Sequence, residues 1–133
     1  MRREPHLFDS SAIITLIEKN KLDALLEGLT IDLSFYELGN SVWKQVNLYK
    51  TLSMDDAKVV LDAFMLVYNR MNKIQEVDPQ SILTVASQEG ITFYDAAYLQ
   101  AAKDKKVTLV TDDKKLKQAS SKYVNTVTSR EVS

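Results

Sequence analysis

The chain has 133 residues, no cysteine, one histidine and a formal net charge of −1. That length fits one domain spanning residues 1–133, large enough to bury a core without covalent staples. The composition excludes disulfides, thiolate zinc sites and cysteine nucleophiles, and near-neutrality excludes a polycation that holds nucleic acid by bulk charge.

The elements follow in chain order from apolar periodicity. His6–Phe8 reads as a first strand, followed by a short helix over Ser11–Glu18. Thr30–Ser34 (TIDLS) is a second strand, and Phe35–Tyr49 a helix that buries Leu38, Val42 and Val46. The turn Lys50-Thr51-Leu52-Ser53 leads into a long helix, Met54–Met71, so these two helices form a hairpin. Lys73–Val77 is a third strand. Asp78-Pro79 then supplies an N-cap and a first-turn proline for a helix over Ile82–Gln88. Tyr94–Lys103 is helical, Val107–Thr111 is a fourth strand, Lys114–Ser120 a last helix and Tyr123–Val127 a fifth strand. Alternation of strands and helices predicts an α/β fold with a mostly parallel sheet flanked by helices and right-handed crossovers. The N-terminal MRREPHLFDSS carries two arginines but no apolar run of signal-peptide length. No stretch reaches the ~20 apolar residues of a membrane span, so a cytoplasmic protein is expected.

Four acids stand where a strand passes into a helix: Asp9 in LFDSSAII, Glu37 in SFYELGNSVWK, Asp95 in TFYDAAYLQAA and Asp113 in LVTDDKKL. Each has a structural reading. Ser34-Phe-Tyr-Glu37 and Thr92-Phe-Tyr-Asp95 match the capping box, Asp9 and Asp113 fit simple N-caps, and Ser53-Met-Asp-Asp56 is a capping box with no reason to be catalytic. Their position adds a second meaning, because ligands of open α/β sheets bind beyond the carboxyl ends of the strands. Carboxylates gathered there repel one another, and a divalent cation relieves the repulsion. Hard oxygen ligands suit Mg²⁺ or Mn²⁺, which points to phosphodiester hydrolysis without any need for histidine.

The remaining chemistry is sparse. His6 is the only histidine, so a two-histidine acid–base pair and a Ser-His-Asp triad are both excluded, and His6 reads as structural. Ser10 and Ser11 fit helix capping and the orienting of Asp9 or a phosphate. Trp43 is expected in the core. Glycines 28, 39 and 90 form no phosphate-cradling loop. Between Lys103 and Lys122, seven lysines stand against three aspartates, a local excess of four positive charges. That reads as a solvated helix surface, or as a patch steering an anionic polymer toward the acids.

Taken in order and spacing, LFDSSAII, SFYELGNSVWK, ITFYDAAYLQAA and LVTDDKKL resemble the PIN domain, and more narrowly the VapC-type toxins of VapBC toxin–antitoxin systems. The Tyr-Asp-Ala-Ala-Tyr run is the most specific part. The resemblance implies a PIN-like sheet of about five strands and a Mg²⁺- or Mn²⁺-dependent endoribonuclease leaving 3′-hydroxyl and 5′-phosphate ends. It implies that Asp9, Asp95 and Asp113 hold the metal and that Glu37 is a further ligand or aids the attacking water. Asp113 takes the last place of the Thr-x-Asp motif at Thr111-Asp112-Asp113, with Asp112 at the variable position, where it could assist a second ion. Asn40 completes the Glu-x-x-Asn pattern one helical turn after Glu37, and Ser10 replaces the threonine often found after the first aspartate. Members usually form homodimers silenced by a VapB-type antitoxin, and Met54–Met71 is a candidate for part of either surface.

The resulting expectation is a metal-dependent ribonuclease acting on RNA. Its rival is a PIN-like module that binds RNA or protein without cutting. A phosphoacceptor receiver domain is disfavoured, because Asp9 lacks an acidic neighbour and the fifth strand ends in Tyr-Val-Asn-Thr rather than lysine.

Overall fold

The computed structural model describes residues 4–75 and 77–132. Among them are β1 (Leu7–Phe8), α1 (Ser10–Glu18), α2 (Asp23–Leu26), β2 (Leu29–Ile31), α3 (Leu33–Asn47) and α4 (Met54–Arg70). The chain continues through β3 (Asn72–Ile74), α5 (Pro79–Glu89), α6 (Phe93–Lys105), β4 (Leu109–Val110), α7 (Lys114–Ser120), β5 (Thr126–Val127) and α8 (Ser129–Val132). The five strands form one sheet in the order β3-β2-β1-β4-β5, with every pairing parallel. The α/β class and the parallel sheet of five strands flanked by helices expected from the sequence are therefore present.

Alternation along the two-residue strands divides the core. Leu7 and Leu109 join a cluster with Tyr98, Leu99 and Leu116 from α6 and α7. Phe8 and Val110 face the other way, onto Ile13, Leu16, Leu38 and Phe64 from α1, α3 and α4. Both faces are thus apolar, as a parallel sheet covered by helices requires. The strand order reverses between β1 and β4, so the segments that leave their carboxyl ends diverge around a crevice. Asp9 follows β1 and Thr111–Asp113 follows β4, which places both beside that crevice.

Local signals account for most boundaries. Asp78 caps α5 by accepting from Ser81 N at 3.1 Å, with Pro79 in the first turn. Gly90 ends the helix at φ 65°, the left-handed region that glycine enters without strain. The strands are shorter than the sequence runs that predicted them. Thr30–Ser34 is cut to Leu29–Ile31 because the chain turns helical at Leu33. The predicted Lys73–Val77 becomes Asn72–Ile74, and its Glu76 lies outside the described residues, as do the two N-terminal arginines.

Three expectations need correction. Ser34 does not cap a helix: α3 begins at Leu33 after Asp32, and the Ser34 hydroxyl is taken up by buried neighbours. Trp43 is 51 % exposed rather than in the core, because α3 turns that face outward. The short helices α2 and α8 escaped the periodicity reading, since four residues cannot display a helical period.

Gly28 precedes β2 where the Phe8 ring lies against the backbone. A Cβ there would fall 2.6 Å from Phe8 Cε1 and 3.0 Å from the Ala24 carbonyl oxygen. The ring is 1 % exposed and belongs to the core cluster formed with α1, α3 and α4. Gly28→Ala is expected to cost about 1–3 kcal/mol of stability by overpacking. Urea denaturation of the two proteins measures this, and an unchanged midpoint would refute the contact.

Candidate active site

Parallel topology delivers all four acids to one edge. Helices α1, α3 and α7 follow β1, β2 and β4, so their N-termini lie at the carboxyl end of the sheet; α6 runs back toward β4 and starts at the same edge. Helix N-termini carry positive partial charge, which helps acids to reside there. Asp9 caps α1, accepting from Ala12 N at 2.9 Å, and Asp113 caps α7, accepting from Leu116 N at 3.0 Å. Asp95 sits in the first turn of α6, where Thr92 Oγ1 accepts from Asp95 N at 3.0 Å, as the capping-box reading expected. Glu37 lies in the second turn of α3.

Asp9 is the centre of a hydroxyl cage. It is 4 % exposed. Ser11 Oγ donates to its Oδ1 at 2.7 Å, and Thr111 Oγ1 donates to its Oδ2. Thr111 Oγ1 in turn accepts from Asp113 N at 3.1 Å, and Ser11 Oγ accepts from Asp112 N at 3.0 Å. The loop after β4 is thus laced onto the first acid by two side chains a hundred residues away from each other in sequence. Ser10 takes a different role, donating to Glu37 Oε1 at 3.0 Å. Asn40 is exposed on α3 one turn beyond Glu37.

Asp112 is placed elsewhere. Its two carboxylate oxygens accept from Ser129 N at 2.9 Å and Ser129 Oγ at 2.7 Å, fastening α8 to the loop. In this structure it serves the C-terminal helix. The lysine-rich segment is likewise partly spent locally. Lys122 pairs with Glu89 at 2.7 Å, Lys117 with Glu131 at 3.7 Å, and Lys103 sits over the Tyr123 ring. Lys115, exposed in the first turn of α7, is the one whose charge acts on Asp95.

The acids act on one another electrostatically, Glu37 on Asp9 and both Asp113 and Glu37 on Asp95. Burial raises the Asp9 carboxyl from 3.8 to about 6, against the lowering effect of its three hydrogen bonds, and the charge of Glu37 adds to the rise. Asp95 is also raised, first by partial burial and then by the charges of Asp113 and Glu37. Among the described residues neither ion pair involves any of the four acids. The donors are all oxygen, the set that suits Mg²⁺ or Mn²⁺. Among the described residues no three acidic or histidine side chains form a ready-made metal cage. Mg²⁺ is held by one or two carboxylates with water and phosphate completing its shell, so an open cluster of this kind fits it.

Sequence reasoning passed over Tyr98. Its hydroxyl donates to Glu37 Oε1 at 2.7 Å from a position that is 1 % exposed. The Tyr-Asp-Ala-Ala-Tyr run contained it, and its place one turn after Asp95 was the available signal.

Comparison with known proteins bears on the fold and the family. No family model matches the chain. It is 34 % identical over 117 residues to the exonuclease VapC9 of Pyrobaculum aerophilum, covering 84 % of this chain and 82 % of the relative. Its fold matches the crystal structure of PAE2754 from Pyrobaculum aerophilum with a TM-score of 0.81 at 23 % identity, over 96 % of this chain and 92 % of that one. FitAcB from Neisseria gonorrhoeae follows with a TM-score of 0.63 at 16 % identity, over 93 % and 97 %. FitAB bound to an IR36 DNA fragment gives 0.63 at 15 %, over 92 % and 94 %.

The raised Asp9 carboxyl has a consequence for the metal-free protein. Between pH 3.8 and about 6 the folded state keeps a proton on Asp9 that the unfolded chain has released. Stability therefore falls as pH rises through that window and levels off above it, by up to about 3 kcal/mol. Denaturation in EDTA is expected to show a higher midpoint at pH 5 than at pH 7.5, and Asp9→Asn is expected to flatten the difference. An equal slope in both proteins would place the titrating group elsewhere.

Proposed function

The chain belongs to the VapC family of PIN-domain proteins, and from that premise we propose that it is a Mg²⁺- or Mn²⁺-dependent endoribonuclease. The observation that carries the reading is the convergence of Asp9, Glu37, Asp95 and Asp113 on one sheet edge, where burial and mutual repulsion raise Asp9 and Asp95. Bound there, the ion supplies charge stabilisation at the phosphate and a water of lowered pKa. Asp9, Asp95 and Asp113 are the residues that would hold it. Ser11 and Thr111 fix both oxygens of Asp9, so that carboxylate is oriented before anything binds. Glu37, held by Ser10 and Tyr98, is placed to orient a water for attack. Lys115 and its neighbour Lys114, both exposed beside Asp113, offer cations to the RNA backbone.

The relative VapC9 is named an exonuclease, so the mode of cutting separates two forms of the same chemistry. Asp113 and Asn40 are exposed, which leaves the acid edge open to a strand passing across it. That openness favours internal cutting.

The family reading also brings a partner, a VapB-type antitoxin, and a homodimer. The hairpin of α3 and α4 presents Trp43, Leu48, Tyr49, Met54, Val59 and Leu66 to solvent, each more than half exposed. Exposed apolar side chains of that number on one hairpin are a suitable surface for either protein partner. Among the described residues no helix is long and apolar enough to cross a membrane.

Cleavage of end-labelled structured RNA with Mg²⁺, Mn²⁺ or EDTA tests the reading. Wild type is expected to give metal-dependent internal fragments with 5′-phosphates, and Asp95→Asn to lose about 100-fold or more of that rate. A ladder shortened from one end would establish exonucleolytic trimming instead. Metal binding by calorimetry with no turnover on varied RNAs would favour a binding module. Substantial cutting by Asp95→Asn would refute the carboxylate assignment.

A further inference from the structure

A chain of buried hydroxyls runs from the backbone beside Asp9 to the Glu37 carboxylate. Thr30 Oγ1 donates to the Phe8 carbonyl oxygen at 2.8 Å, one residue before Asp9. Thr30 Oγ1 and Ser34 Oγ are 2.5 Å apart, and Ser34 Oγ and the Tyr98 hydroxyl 2.8 Å apart, so the single Ser34 proton faces two oxygens and can be donated to only one of them at a time. Tyr98 then donates to Glu37 Oε1 at 2.7 Å. Thr30 and Ser34 are fully buried and Tyr98 is 1 % exposed. Burying three hydroxyls between apolar clusters is costly unless each finds a partner. Ser34 alone would satisfy the Tyr98 hydroxyl, yet the tyrosine makes a second contact, and that one reaches a carboxylate. Hydrogen bonds to an ionised acceptor are the stronger kind and fix its direction.

The chain joins the elements that carry three of the four acids. Phe8 precedes Asp9, Ser34 and Glu37 share α3, and Tyr98 stands one turn after Asp95 on α6. Among the described residues both hydrogen bonds to Glu37, from Ser10 and from Tyr98, fall on Oε1. One oxygen is thereby anchored and Oε2 is left for a ligand.

We propose that Tyr98 is a positioning residue that locks the Glu37 carboxylate toward the candidate metal site, its buried hydroxyl donating to Glu37 while Ser34 holds it from the other side. The proposal rests on the ribonuclease reading for what Glu37 does there, and on the geometry alone for how Glu37 is held.

The test uses Tyr98→Phe, which removes one oxygen and keeps the ring in the core, with Ser34→Ala as a second variant that releases the same hydroxyl. The side-chain carboxyl ¹³C resonance of Glu37, identified by its loss in Glu37→Gln, is followed without metal or RNA. It is expected to move in Tyr98→Phe, whereas the Asp113 resonance is not. Mn²⁺ calorimetry on wild type, Tyr98→Phe, Glu37→Gln and the double variant reads the consequence. Tyr98→Phe is expected to weaken Mn²⁺ binding about tenfold, and to add nothing once Glu37 is already Gln. An unmoved Glu37 resonance, or a Tyr98→Phe effect undiminished in the Glu37→Gln background, would overturn the proposal. A moved resonance in a protein that binds no Mn²⁺ would uphold the positioning role and defeat the metal reading instead.

Discussion

Everything at the carboxyl edge of this sheet depends on one desolvated carboxylate. Asp9 ends a two-residue strand at the point where the strand order reverses, and the core closes over it to 4 % exposure. A buried carboxylate needs partners, and the chain supplies Ser11 from its own helix and Thr111 from beyond β4. Those partners then draw in the backbone of Asp112 and Asp113. The loop that carries the fourth acid is thereby positioned by the need to satisfy the first.

The residues that cap these helices are also those of the candidate site, and the two uses do not conflict. A cap needs an oxygen directed at the first turn of a helix, and a carboxylate metal site would need several such oxygens gathered at one place. Parallel topology makes these the same places. Asp9 and Asp113 both cap a helix while belonging to the acid cluster. The strain lies in charge rather than geometry, since burial and neighbouring acids raise both Asp9 and Asp95. A divalent cation bound there would relieve the repulsion and restore the ionised forms.

Away from the edge, the polar chemistry is directed to holding pieces together. Asp112, adjacent to a site acid in sequence, is drawn off by Ser129 and anchors α8. Glu89 and Lys122 join α5 to the segment before β5, reinforced by the Tyr123 hydroxyl at 2.7 Å from Glu89. The lysine excess of that region is therefore a mixture of local pairs and a small exposed set beside Asp113. Counting charge along the sequence could not divide the two.

What the sequence determined by itself was everything governed by near neighbours. Apolar spacing and caps located the main helices, the alternation of elements called for a parallel sheet, and that sheet implied an edge on which Asp9, Glu37, Asp95 and Asp113 would meet. Tertiary structure decided what depends on residues far apart in the chain. Tyr98 reaches Glu37 across 61 positions and Ser34 across 64, and this long-range demand converts Ser34 from an expected cap into a buried link. It also sends Asp112 to Ser129 and turns Trp43 outward. A side chain's partner is chosen by what the completed fold brings within hydrogen-bonding distance and removes from water, and neither quantity exists until the chain has closed on itself.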